Sequence, residues 1–115
     1  MAKEQLYGLD SSDLSSTHWN LAKCFQRLSH HLEASVHRRR CWELEIVADG
    51  ITSSGTLQTA YALAQDLQNS DTIPEALLVI QTTIDSLEVM EEKSEMQQEW
   101  YQKLKELQFE LQGDE

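Results

Sequence analysis

Residues 72–112 read TIPEALLVIQTTIDSLEVMEEKSEMQQEWYQKLKELQFELQ, with no Gly or Pro from Glu75 to Gln112. Leu77, Ile80, Ile84, Leu87 and Met90 recur at three- and four-residue steps, the spacing of one buried helix face. Thr72 and Glu75 have the spacing of a capping box, and Pro74 falls in the first turn, where a missing N–H costs nothing. The segment Glu91-Glu92-Lys93-Ser94-Glu95 is polar throughout. The apolar stripe then resumes with Trp100, Leu104, Leu107 and Leu111. A single rod over 74–112 would be about 58 Å long. A compact domain of this size has a radius of gyration of roughly 13 Å. The last half, 92–112, therefore either folds back near 91–95 or projects and pairs with something else.

Working toward the N-terminus, Leu57, Ala60, Tyr61, Ala64 and Leu67 mark a helix near 56–69. Asp49-Gly50-Ile51-Thr52-Ser53-Ser54-Gly55 precedes it as a loop, with a glycine suited to a helix C-cap. A further helix is expected from Ser12–Thr17 toward Ala48, where Ser, Thr and Asp side chains can accept from free N–H groups. The 4-3-4 steps of Leu21, Phe25, Leu28 and Leu32 give it a coiled-coil-like face. Polar gaps at Ser29–His31 and at His37–Arg40 are two places where it can break. Residues 1–12 lack a period and read as a flexible arm, with 13–115 as one domain. The expected fold is an all-α antiparallel bundle of three long helices, or four to five if they break. Its expected core is Leu21, Phe25, Leu28, Leu32, Trp42, Ile46, Leu57, Ala64, Leu67, Leu77, Ile80, Ile84 and Leu87.

The sequence contains a weak internal repeat. Leu21-Ala22-x-x-Phe25 followed by Ala34 parallels Leu63-Ala64-x-x-Leu67 followed by Ala76, offset by 42 residues. The copies part where Ile80 follows Ala76 but Arg38 follows Ala34. The second copy loosely resembles the helical hairpin of tetratricopeptide or microtubule-interacting-and-transport domains, without their aromatic and glycine signature positions.

Composition narrows the function classes. Four Gly and one Pro in 115 residues are too few for the frequent turns of an all-β fold. The two cysteines, Cys24 and Cys41, form no CxxC and suggest no disulfide framework. No apolar run approaches the ~20 residues that span a bilayer, and no signal peptide is visible, so a soluble, cytoplasmic protein is expected. Net charge is −11, with 3 basic and 13 acidic groups in residues 51–115 against 6 and 7 in residues 1–50. Such an acidic surface opposes nucleic acid and anionic membranes.

No nucleophile elbow, phosphate-binding loop or HExxH motif is present, and no enzyme activity or cofactor is expected. His30, Glu33, His37 and Cys41 share one helical stripe. His30 and Cys41 are about 16 Å apart along it, too far to share one ion, so no metal site is assigned. The Arg neighbours of Cys41 could lower its thiol pKa. Arg38, Arg39 and Arg40 form the basic candidate surface, suited to bidentate pairing with carboxylates. Glu88, Glu91, Glu92, Glu95 and Glu99 would form one acidic ridge on a continuous helix. Trp100 and Tyr101 point about 100° apart, so one of them is free for an interface, with Leu104 on the same stripe.

These features imply a non-enzymatic protein–protein interaction module: a small subunit, adaptor, chaperone-like protein or regulator. It would contact another protein or itself, and self-association would set residues 37–40 of one chain against the 88–99 ridge of another. Two alternatives are an acidic inhibitor that mimics nucleic acid on an enzyme surface, and a helical metal or ligand binder using His37 and Cys41.

Overall fold

The computed structural model describes residues 11–113, and the expected arm of 1–12 falls almost wholly outside them. Five helices and no strand occur among the described residues: α1 (Ser11–Arg27), α2 (His31–Asp49), α3 (Ser54–Asn69), α4 (Ile73–Glu88) and α5 (Glu95–Gln112). Their short connections make consecutive helices antiparallel neighbours. Each helix packs chiefly on the next, and α5 also returns onto α3. The extents of 47 × 36 × 19 Å describe a slab two helix layers thick.

Of three local devices, those at Ser29 and Ser94 turn the three expected long helices into five, and the one at Asp71 closes a helix already expected to end there. At Ser29 the backbone turns left-handed, with φ 64°. The Ser29 N–H donates to the Gln26 carbonyl at 3.0 Å and the His30 N–H to the Phe25 carbonyl at 2.8 Å, closing α1. The expected helix of 13–48 thus breaks at the first polar gap and runs unbroken through His37–Arg40. Asp71 repeats the device with φ 66°. Its N–H donates to the Gln68 carbonyl at 3.1 Å, and the Thr72 N–H donates to the Leu67 carbonyl at 2.8 Å. The two turns lie 42 residues apart, the offset of the sequence repeat. The chain is therefore two helical hairpins, α1–α2 and α3–α4, followed by α5.

The third device folds α5 back. Ser94 Oγ accepts the Gln97 N–H at 3.1 Å, and Gln97 Oε1 accepts the Ser94 N–H at 2.8 Å. This is a reciprocal capping box, with Gln in the third position. Gln97 Nε2 also donates to the Thr52 carbonyl at 2.9 Å, tying the start of α5 to the α2–α3 loop. The capping box expected at Thr72 and Glu75 does not form. Thr72 Oγ1 donates instead to the Leu67 carbonyl at 2.9 Å, because the left-handed turn aims it back at α3.

The core runs from Trp42 through Leu57, Leu63, Leu67, Ile80, Ile84 and Leu87 to Leu104, Leu107 and Leu111. Ala22, Ala34, Ala60, Ala64 and Ala76 are all fully buried, so small side chains let the helices approach closely. Of the expected core, Leu21, Leu28 and Leu32 are exposed, by 39%, 65% and 59%. The turn at Ser29 resets the helical phase, so Leu32 no longer shares a face with Phe25, and Leu28 lies in the turn just past the end of α1. In addition, α1 is covered chiefly by α2, whereas α3 is covered by α2, α4 and α5.

The left-handed serine is a site of avoidable strain, since a Cβ disfavours that conformation and glycine does not. Ser29→Gly is expected to stabilise the fold by about 0.5–1 kcal/mol. Urea unfolding checks this, and a destabilised variant would contradict the turn geometry.

Candidate interaction groove

Three adjoining clefts of 310, 450 and 300 Å³ cross one side of the slab and all touch Gln58. All three are lined by α3, with α1 and α2 beside it in two of them and α5 in two. The 42-residue repeat builds the α1 and α3 sides from matching positions: Ser16 with Gln58, Trp19 with Tyr61, Asn20 with Ala62, Lys23 with Gln65. Met96, Glu99, Trp100 and Lys103 supply the wall from α5. Tyr61 and Trp100 meet at 5.6 Å between ring centroids, tilted by 55°. Lys103 Nζ sits 4.7 Å from the Trp100 ring centroid. Aromatic rings and amides of this kind bind peptides well, because amides both donate and accept.

Beneath the groove lies a buried ion pair. Arg38 Nε donates to Asp66 Oδ2 at 2.8 Å, with the two side chains only 3% and 1% exposed. Arg38 Nη2 donates to Gln26 Oε1 at 2.8 Å, and its guanidinium carbon lies 4.4 Å from the Trp19 ring centroid. One side chain of α2 thus holds α1 and α3 together. Burial pushes the Asp66 carboxyl up, against the pull of Arg38.

The structure redistributes the candidates chosen from sequence. Arg38 is a core anchor and is unavailable to a partner surface. Arg39 is half-buried, and Arg40 is exposed and paired with Glu43 at 3.2 Å on its own helix. The five glutamates do not form one ridge, because α4 ends at Glu88 and α5 begins at Glu95, leaving Glu91 and Glu92 in the connection. All five are exposed. The Tyr101 hydroxyl donates to Glu88 at 2.8 Å, bracing that connection and raising the phenol pKa. Leu104 is fully buried under α3 and α4, so it belongs to the core rather than to an interface. Trp100 remains in the groove wall. A self-association that sets residues 37–40 against 88–99 loses its central arginine and its continuous ridge.

His37 and Cys41 diverge. The His37 ring stacks on Phe25 at 5.6 Å and on His18 at 5.3 Å, facing α1. The Cys41 sulfur lies 4.0 Å from Thr59 Oγ1 on α3. Burial, reinforced by Glu45, pushes the Cys41 thiol up to about 11, so the pull of Arg38 is overcome. Among the described residues, no group of three or more His, Cys, Asp or Glu side chains could hold a metal ion. No described helix is long and apolar enough to cross a membrane.

His18 Nδ1 and His37 Nδ1 are 3.1 Å apart, so one nitrogen must be unprotonated for the contact to bond. Partial burial, His37 and Arg40 together push the His18 pKa below its ordinary 6.5. The unfolded chain therefore binds the proton more readily than the folded one. The resulting stability is present above pH 6.5 and is lost as pH falls through the lower folded value. The urea midpoint should fall between pH 7.5 and 5.5, and His18→Gln should flatten that dependence. An unchanged pH slope in the variant would contradict the pairing.

No known protein family, curated protein or solved structure matches the chain. Sequence reading missed Gln58, Tyr61, Gln65, Lys23 and Lys103 as groove residues. The repeat offset held the signal for the α1 and α3 sides, since it aligns Trp19 with Tyr61.

Proposed function

We propose that the protein is a non-enzymatic protein-interaction module that holds an extended peptide segment of a partner in the groove of α1, α2, α3 and α5. The observation carrying this reading is the run of adjoining clefts meeting at Gln58, with aromatic walls at Trp19 and Trp100. Gln58 and Gln65 can each donate to a peptide carbonyl and accept from a peptide N–H. Trp and Tyr supply contact area with little rotamer entropy to lose. An adaptor or regulatory subunit would use such a groove to recruit a partner.

The acidic-inhibitor reading draws less support, because its carboxylates are divided among a helix end, a connection and a separate helix. The metal-binder reading draws less as well, because His37 and Cys41 face different helices.

The test is selection of a displayed random peptide library against the folded protein. Enriched peptides should bind the wild type and lose at least tenfold in affinity to Ala62→Arg, which fills the α3 side. Leu78→Arg, at a 66%-exposed position of α4, should leave binding unchanged. Absence of enrichment, or equal loss in both variants, would remove the reading.

A further inference from the structure

The cleft between α1, α2 and α3 differs from the rest of the groove. It is lined by Ser16, Trp19, Asn20, Glu45, Gln58 and Thr59, and Glu45 is the sole charged side chain among the described residues that line it. Glu45 Oε1 is withdrawn from solvent and makes no well-formed hydrogen bond, although the Thr59 hydroxyl and the Cys41 thiol lie close enough to favour its charged form. The donors around it are committed or weak. The Thr59 hydroxyl gives its proton to the Gly55 carbonyl at 3.0 Å, and the Cys41 thiol is a weak donor. Arg38 is occupied by Asp66 and Gln26. The charge that acts on Glu45 is Asp49, of the same sign. A half-buried carboxyl with no cation is costly, and a group perturbed by burial inside a cleft marks a binding position.

We infer that this cleft receives a basic side chain, Lys or Arg, of the peptide bound in the groove, with Glu45 as its counter-ion and Trp19 as its aromatic wall. This rests on the groove reading above and names the chemistry of its occupant. Rotation about the Glu45 Cγ–Cδ bond exchanges the two carboxylate oxygens, so a donor entering the cleft can reach either. Ser16, Asn20 and Gln58 offer further acceptors for an ammonium or guanidinium. A cation near the Trp19 ring gains the attraction that Arg38 already draws from it. The net charge of −11 steers a basic segment toward the protein. Lys23 and Lys103 lie outside this cleft, along the neighbouring ones, so they do not oppose the pairing directly.

The probe is the set of library peptides that lose binding to Ala62→Arg. The inference expects a Lys or Arg at one fixed position in them. Replacing that residue with norleucine, which keeps the alkyl chain and removes the charge, should weaken binding at least tenfold. Glu45→Gln should weaken the parent peptide by a similar factor and leave the norleucine peptide unchanged. The norleucine arm uses the unaltered protein, so the result stands even if Glu45→Gln perturbs the fold. Groove-binding peptides without a fixed basic position, or insensitive to both changes, would overturn the inference and leave the groove reading standing. Failure to obtain any groove-dependent peptide would overturn both.

Discussion

Arg38→Ala is expected to cost about 3–5 kcal/mol, because it leaves the Asp66 carboxylate buried without its cation. Both side chains are almost wholly excluded from water. Asp66 Oδ1 already lacks a hydrogen-bond partner, and Arg38 Nε is the donor bonded to Oδ2. The same substitution removes the guanidinium from the Trp19 ring and the donor from Gln26, which loosens α1 from α2. Burial of an intact pair is by itself weak evidence of net stabilisation, since desolvation offsets the attraction. The double replacement Arg38→Met with Asp66→Leu should therefore recover most of the loss. Urea denaturation of the three proteins decides the matter. A loss below about 1 kcal/mol for Arg38→Ala would place the pair at the surface, contrary to its burial.

Leu104→Ala is the second large effect. Leu104 is fully buried, and with Leu107 and Leu111 it fixes α5 against α3 and α4. Truncating a leucine at such a site costs about 2–5 kcal/mol, depending on how far the cavity collapses. Phe109 on the same helix is 77% exposed. Its replacement by Ala should stay within about 0.5 kcal/mol, as surface changes usually do. The contrast separates packing from helix propensity, which both substitutions alter in the same helix. Leu104→Ala should also weaken peptide binding, because α5 carries Trp100 into the groove. Similar stability for the two variants would mean that α5 projects rather than folds back.

The all-α class was legible from the spacing of apolar residues and from the scarcity of Gly and Pro. The loop near Gly50 and the restart at Pro74 were legible too, because each has a local chemical cause. The breaks were harder. Ser29 and Asp71 adopt left-handed backbone without being glycine, so composition does not flag them. The Ser94–Gln97 capping box lies within a polar run that reads equally well as a solvated helix face.

Arg38 shows how a signal can be present and misread. The repeat places it opposite Ile80, a fully buried position. The departure from the repeat was itself the clue, since an arginine at a core position requires a buried acid. Which acid it meets depends on how α2 packs against α3, and no local pattern reports that. The groove escaped for a related reason. Its members come from α1, α2, α3 and α5, and amides such as Gln58 and Gln65 carry no periodic signal of their own. A stripe of apolar residues shows what a helix buries, whereas a groove is what several helices leave open together.

The most direct test of the groove is the amide chemical-shift map of the ¹⁵N-labelled protein titrated with a library-selected peptide. The largest shifts should fall on Trp19, Gln58, Tyr61, Gln65 and Trp100, with Val36, Val47 and Leu78 unmoved. Shifts centred on Val36, Val47 and Leu78, with the groove silent, would contradict the account.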